Sequence, residues 1–219
     1  MSSRSEEDYL KAIYTLYSNG DYISTNEIAN YLEMKPSSVT DMIKKLADKK
    51  WINYIKYKGV LLTDQGKNIA LQIIRKHRLW ETFLVNNLNF GWDQVHDIAE
   101  QLEHIDSTEL INRLDDFLGQ PKFDPHGDPI PDKNGKIKDL RKSQPLSSLS
   151  KGATGIIVGV NDGSSVFLRY LDKEGLTLGT EILIDEIFDF DLSYKLLIDQ
   201  KFLTVSERVS KNLLIQLIN

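Results

Sequence analysis

Pro36-Ser37-Ser38-Val39-Thr40-Asp41-Met42-Ile43-Lys44-Lys45-Leu46, followed closely by Trp51-Ile52-Asn53-Tyr54-Ile55-Lys56-Tyr57-Lys58-Gly59-Val60-Leu61-Leu62-Thr63, decides how this chain begins to fold. Proline suits the first position of a helix, where its missing N–H leaves nothing unpaired, so Pro36 launches a helix through Leu46. The second stretch alternates around Lys58-Gly59 as a two-stranded hairpin does. Upstream, Ser24 with Glu27 three residues on forms a capping box, which opens a short helix through Ile28, Ala29 and Leu32. Glu33-Met34-Lys35 is a brief turn. Two short helices joined by a tight turn, the second opening on small hydroxyl residues, make a helix-turn-helix. With the hairpin behind it, the pattern is a winged helix. Residues 5–18 add an amphipathic helix with Leu10, Ile13, Leu16 and Tyr17 inward, broken at Asn19-Gly20-Asp21.

Charge is unevenly spread. The 219 residues carry a formal net charge of −5. Residues 35–78 hold eleven Lys/Arg against three Asp (Asp41, Asp48 and Asp64), a local +8 on a body of −13. One basic module on an acidic body points to a local anionic partner. A small α+β domain would show the same helices. The wing, the local charge and the absence of apolar residues at the second helix's leading edge favour double-stranded DNA. Ser37, Ser38, Thr40 and Asp41 lie at the end that enters a major groove. Lys35, Lys44, Lys45, Lys56 and Lys58 would serve phosphates, which fix position without reading sequence. Zero cysteines exclude disulfides, thiolate metal sites, iron–sulfur clusters and cysteine nucleophiles. There is no apolar run of membrane-spanning length and no signal-peptide core after Met-Ser-Ser-Arg, so the expected location is cytoplasmic and no membrane partner is expected.

Residues 67–88 read as one long helix with Ile69, Ile73, Leu79, Trp80, Phe83 and Leu84 on an apolar face, after a turn at Asp64-Gln65-Gly66. Its His77 and Glu81, four apart, are by themselves more often a surface contact than a ligand set. Asp93 is placed to cap the next helix. There Val95, Ile98, Leu102 and Ile105 make a buried stripe, and His96, Glu100, Glu103 and His104 a second stripe beside it. Two imidazoles and two carboxylates repel or stay solvated unless something cationic sits among them. Nitrogen with hard oxygen and no sulfur suits manganese or iron(II). A solvated face rich in Glu and His is an equal reading of these residues taken alone. Asp106-Ser107-Thr108-Glu109 reads as another capping box, leading to Leu110, Leu114, Phe117 and Leu118. The apolar surface of residues 67–118 suits a homodimer, and two-fold pairing suits a palindromic DNA site.

Asp124-Pro125-His126-Gly127-Asp128-Pro129-Ile130-Pro131 is a punctuated loop, and residues 132–150 read as a tether. Beyond Ala153 the character is β. Gly155–Val160, Ser165–Leu171, Gly179–Ile184 and Ile187–Leu192 read as strands, with Leu196–Ile198 and Phe202–Val205 as shorter ones; their spacing suggests a small barrel.

Taken together, Glu7-Asp8-Tyr9-Leu10, Pro36-Ser37-Ser38-Val39-Thr40, Arg75-Lys76-His77-Arg78-Leu79, Val95-His96-Asp97, Glu103-His104 and Pro125 to Pro131 resemble the metal-dependent repressors grouped with the diphtheria toxin repressor and the manganese transport regulators. The trailing β region is similar to the SH3-like, FeoA-like third domain of the long members. The resemblance implies a mostly α fold with β: a winged helix over residues 1–73, a helical metal-binding and dimerisation domain over 74–145, and the β domain over 146–219. It implies a metal site at Asp8, His77, Glu100, Glu103 and His104, a second at Glu81, Asp124, His126 and Asp162, and His96 as an auxiliary ligand or a hydrogen-bonded helix residue. Glu100 and Asp8 stand where iron-responsive members have Cys and Met, which leans the cofactor toward manganese, with iron(II) the alternative and other divalent ions as substitutes in vitro. Lys11 stands where compact manganese members have an additional Glu ligand, against a two-manganese cluster. The implied function is metal-responsive, homodimeric repression of metal-homeostasis genes, not catalysis: without the ion the carboxylates repel and the winged helix samples many orientations. Two rivals stand beside it. Glu100-Gln-Leu-Glu-His104 is one residue from the zinc-protease motif His-x-x-Glu-His, and a metal-independent winged-helix regulator could sense a ligand through its β domain.

Overall fold

A computed structural model describes residues 2–17, 21–138 and 142–218. The chain divides into two compact units: Met1–Trp80 with Ala99–Gly119 and Ile130–Ile137, and Glu81–Ile98 with Gln120–Pro129 and Lys138–Asn219.

In the first unit, α1 (Arg4–Leu16) and α2 (Thr25–Tyr31) each start on a serine with a complete capping box, Ser3 with Glu6 and Ser24 with Glu27. These boxes satisfy N–H groups that a helix start leaves open. Pro36 opens α3 (Pro36–Asp48), whose Val39, Ile43 and Leu46 are fully buried against Tyr9, Leu10, Ile13 and Ile28. Tyr17, expected inward, is the extended C-cap of α1 and half exposed, because the helix ends at Leu16. Asn19-Gly20, expected to break the helix, lies outside the described residues.

The wing is β1 (Ile52–Ile55) paired antiparallel with β2 (Gly59–Leu62), Ile52 opposite Leu62. Its turn is Lys56-Tyr57-Lys58, with Tyr57 at positive φ. Val60 also bridges Ile23, and a side chain at position 59 would run into the Ile23 carbonyl, so only glycine lets this extra pairing close.

α4 (Asp64–Leu88) begins three residues before the expected 67. Thr63 Oγ1 accepts the Gly66 N–H, and Gly66 lies against the Trp51 carbonyl, so this glycine marks a close approach and not a break. α5 (His96–Leu102) starts past Asp93, the expected cap, whose carboxylate lies 3.3 Å from Arg169 instead. Ser107, not Asp106, caps α6 (Thr108–Phe117), and Glu109 turns to Arg113 in place of closing a box. Ile111 and Leu114 are buried on α6, while Leu110 and Phe117 are exposed, Phe117 to 66%.

The second unit carries one antiparallel sheet of β3 (Ser143–Pro145), β4 (Thr154–Val160), β5 (Glu181–Phe188), β6 (Ser193–Ile198), β7 (Lys201–Val205) and β8 (Leu213–Leu217). The order is β3-β8-β4-β5-β6-β7, so this SH3-like region is an open sheet with β3 and β7 at its edges. Its core includes Leu146, Ile157, Leu168, Leu171, Ile184, Leu196 and Ile215. Ser165–Leu171, expected as a strand, belongs to helix α7 (Ser165–Glu174): Leu168 and Leu171, three apart, are buried, and left-handed Gly175 ends it. The runs 179–184 and 187–192 are largely one strand, β5, bulged between Ile184 and Glu186, with Phe190 fully exposed beyond its end. The expected tether contains β3 and a 3-10 turn at Leu146–Ser148 whose Leu146 is fully buried; residues 139–141 of it lie outside the described residues. α8 (Glu207–Asn212) and β8 complete the chain. No helix among the described residues is long and apolar enough to cross a membrane.

Glu6 ties α1 to α3. Its carboxylate, 1% exposed, lies 2.7 Å from Lys49 Nζ and 3.0 Å from Lys45 Nζ, and accepts the Ser3 N–H. Burial pushes its pKa up, but the hydrogen bonds from Lys49, Ser3 and Lys45 outweigh burial and hold it at about 2. A depressed carboxylate stabilises the fold above its unfolded pKa, and that contribution is lost as pH falls through the folded value. Glu6→Gln is therefore expected to lower stability at pH 7 by ~1–3 kcal/mol. Urea denaturation should show the gap to the parent narrowing steadily below pH 4.5 toward about 2.

Candidate metal centre and nucleic-acid interface

In the first unit, the start of α1, the His77 turn of α4 and the end of α5 bring six polar side chains together. Lys11 Nζ lies 2.7 Å from Glu100 Oε1, 2.7 Å from Glu103 Oε2 and 3.3 Å from His77 Nδ1. His77 Nδ1 is itself 2.6 Å from Glu103 Oε2. On the other side of Glu103, His104 Nε2 lies 3.1 Å from Asp8 Oδ1 and 3.7 Å from Glu103 Oε1. Helix α5 ends at Leu102, but the Glu103 N–H still bonds the Ala99 carbonyl, which fixes the direction of these last side chains.

The five residues expected to form one site thus fall into two lobes that share Glu103: His77/Glu100/Glu103, and Asp8/Glu103/His104, each with donor atoms within 4.8 Å of one another. The lobes differ in their partners. Lys11 fills the first. In the second, Glu103 Oε1 and His104 Nε2 are buried with no hydrogen-bond partner among the described residues. Buried polar atoms are nearly always satisfied, so a pair left open toward a third carboxylate fits a cation bound there. Glu7 Oε2, 2.7 Å from His104 Nδ1, orients the imidazole as the outer carboxylate of a metal-ligating histidine does. Burial raises the Asp8 pKa and Glu100 and Glu103 raise it further, against His104. Burial pulls the Lys11 pKa down, but Glu103 and Glu100 outweigh it and the net shift is upward. The orienting role of Glu7 and the contacts of Lys11 were not legible from spacing, since each depends on which way α1 faces α5.

A second cluster lies in the other unit. Glu81, Asp124 and His126 are buried, with donor atoms within 4.8 Å. Asp124 Oδ1 accepts the N–H groups of His126 and Asp128, at 2.8 and 3.0 Å. His126 Nε2 reaches the Trp92 carbonyl at 2.8 Å and Nδ1 lies 3.6 Å from Glu81 Oε2. Burial lowers the His126 pKa, but Glu81, Asp124 and that carbonyl outweigh it and carry it to about 9. His96, largely exposed, stands 3.6 Å from Glu81 Oε1. Asp162 is not brought to this cluster. Its Oδ1 accepts the Ser164 N–H ahead of α7, and its Oδ2 lies 3.8 Å from Arg208.

On the winged helix, Lys35, Ser37, Ser38, Asp41 and Lys44 are exposed along the start and outer face of α3. The Thr40 hydroxyl donates back to the Pro36 carbonyl, and Lys45 is held by Glu6. At the wing, Lys56 lies over the Tyr57 ring and Lys58 over the Tyr22 ring. Tyr57 is 94% exposed, and nothing in the alternation of the wing singles it out.

A basic winged helix joined through α1 to a buried Asp/Glu/His cluster defines a metal-dependent DNA-binding regulator. Known proteins of similar sequence and fold agree. The chain matches the iron dependent repressor N-terminal DNA-binding domain over residues 1–60, the iron dependent repressor metal binding and dimerisation domain over 63–132, and the FeoA domain over 144–217. It is 34% identical over 142 residues to the HTH-type transcriptional regulator MntR of Oceanobacillus iheyensis, covering 65% of this chain and 90% of that one. With MntR of Bacillus subtilis it shares 35% over 118 residues, 54% of this chain and 82% of that one. Among solved structures, a manganese-dependent transcriptional repressor in complex with manganese superposes with a TM-score of 0.86 at 33% identity, covering 97% of this chain and 100% of that chain. ScaR with bound Zn2+ gives 0.79 at 33%, covering 97% and 99%. This chain belongs to the iron-dependent repressor family.

Gly127 holds the second cluster's loop in place at φ +87°, where an added Cβ would stand 2.2 Å from the Val158 carbonyl oxygen. Gly127→Ala is expected to destabilise the protein by at least ~1 kcal/mol in urea denaturation, since alanine meets both the clash and the positive φ.

Proposed function

We propose that this chain is a manganese-responsive, homodimeric transcriptional repressor of metal-homeostasis genes, with iron(II) the alternative effector. The observation that carries the reading is the second lobe, where buried Glu103 Oε1 and His104 Nε2 are left open toward Asp8. When bound there, the ion supplies positive charge between a carboxylate of α1 and the donors behind α5. The chain's own residues do the rest. Glu7 fixes the His104 ring, and Glu6, one residue earlier, fixes Lys45 and Lys49 of α3. A single turn of α1 thus links the cluster to the helix proposed to read DNA, and metal and DNA affinities become reciprocally coupled, typically by ~1–3 kcal/mol.

In this reading Ser37, Ser38, Thr40 and Asp41 face base edges, and Lys35, Lys44, Lys56 and Lys58 face phosphates of a palindromic operator. His77 and Glu100 complete the centre, and Glu81, Asp124 and His126, with His96 alongside, form an accessory place for a cation. The exposed Leu110 and Phe117 of α6 are a natural part of the dimer contact. The working division is a DNA-binding domain at residues 1–73, a metal-binding and dimerisation domain at 74–145, and a β domain at 146–219.

Glu103→Ala or His104→Ala should abolish manganese-stimulated operator binding in fluorescence anisotropy while the far-UV spectrum stays that of a folded protein. Equal DNA affinity of the unmodified protein with and without manganese would overturn the reading. Replacing Lys56 and Lys58 together by alanine should weaken binding to all sequences alike. It should also reduce the slope of log affinity against log salt by about 2 in magnitude, close to one unit for each phosphate no longer neutralised.

A further inference from the structure

Tyr57 stands at the tip of the wing between Lys56 and Lys58, 94% exposed. The tip is a turn closed by the Lys58 N–H on the Ile55 carbonyl at 3.0 Å, and Tyr57 holds φ +66° within it. A turn that needs positive φ at this place favours glycine or asparagine, and a bulky side chain is strained there. The ring thus disfavours the fold twice, by leaving apolar surface in water and by holding the backbone in a sparsely populated region. Its exposure leaves no packing to offset either cost, and strain of this kind gathers where a partner binds. The finger that carries it is fixed. Val60 bridges Ile23, Gly59 rests on the Ile23 carbonyl, and Lys58 Nζ lies 4.3 Å from the centre of the Tyr22 ring. Lys56 Nζ lies 5.0 Å from the centre of the Tyr57 ring, so ammonium and aromatic advance together.

We propose that Tyr57 is a specificity-determining residue: it enters the DNA minor groove beside the base pairs that α3 faces and favours A·T pairs there. This rests on the DNA-binding reading above, and it gives the wing a task that its lysines, meeting phosphates of any sequence, do not perform. The chemistry is complementary. A narrow groove, about 6 Å wide, has anionic walls for the two ammonium groups and sugar surface for the ring. Its floor offers the N3 of adenine or the O2 of thymine to a phenol that donates a hydrogen bond. A G·C pair adds the guanine amino group, a donor set against a donor. A·T runs also narrow the groove and deepen its negative potential, which draws in the flanking lysines.

The test uses the full-length protein with manganese(II) and a palindromic duplex that it selects from a random pool. The pairs flanking each selected half-site are rebuilt as A·T, as G·C, or as inosine·C, which shows the major groove of G·C but lacks the minor-groove amino group. The unmodified protein should bind the A·T and inosine·C duplexes alike, at least about fivefold more tightly than the G·C duplex. Tyr57→Gly should bind all three equally, while its Tm stays level or rises, because glycine accepts positive φ. Four results overturn the proposal: inosine·C bound no better than G·C by the unmodified protein, the flank preference kept in full by Tyr57→Gly, an equal loss on all three duplexes, or a clear fall in Tm. The third reduces the wing to phosphate contact. Unchanged affinity together with an unchanged preference assigns the exposed ring to a protein or membrane surface instead. Failure to select any duplex overturns the DNA-binding reading itself, whereas tight binding without flank preference overturns only the role of Tyr57. Should Tyr57→Gly fail to fold, Tyr57→Asn, which the same φ also suits, decides by the same three duplexes.

Discussion

The first unit turns on how one buried carboxylate is neutralised. Glu103 has no exposed surface, and an ionised carboxylate in that position is costly unless it is paired. Its two oxygens are divided: Oε2 faces Lys11 and His77, and Oε1 faces His104. One half of the charge is therefore answered from within the chain, by a cation anchored on α1. That revises the expectation that the carboxylates, without an ion, simply repel and release the winged helix. Lys11 already offsets much of the repulsion, so this junction is partly assembled without an ion.

α1 distributes its acidic residues with little waste. Glu6, Glu7 and Asp8 follow one another at 100° steps around the helix, so consecutive residues face different neighbours. Glu6 meets the lysines of α3, Glu7 the outer nitrogen of His104, and Asp8 the inner one. The cap at Ser3 sets the register of all three, since its box fixes where the helix begins. A disturbance at any of them reaches the others through a few bonds of stiff backbone.

Much of the first unit was legible in the sequence, because the capping box at Ser24, the proline at the start of α3 and the alternation of the wing are local signals that the structure matches, whereas the box expected at Asp106 gave way to a cap at Ser107. The β region was less so. The run at 165–171 is short, apolar and flanked by glycine, a pattern that strand and helix share; burial of Leu168 and Leu171 decides for the helix. The end strand β8 is recognisable only through its pairing with β3 and β4, which is a long-range fact. At the site, residue types pointed to a hard cation and the resemblance gathered Asp8 with residues nearly a hundred positions away. The resemblance set Lys11 at a ligand position, but neither disclosed that the cluster is two lobes, which partners Lys11 takes, or that Asp162 turns to its own loop. Those depend on side-chain direction, which spacing along the chain does not carry.

The loop around His126 is clasped by strand β4. The Val160 N–H bonds the His126 carbonyl, and Gly127 rests on the Val158 carbonyl with no room for a side chain. The β region is therefore no detachable appendage to the second cluster but one of its walls. Trimming the chain after the helices would strip the backing from His126 and Asp124, and the geometry of those side chains would no longer be inherited by the shortened molecule.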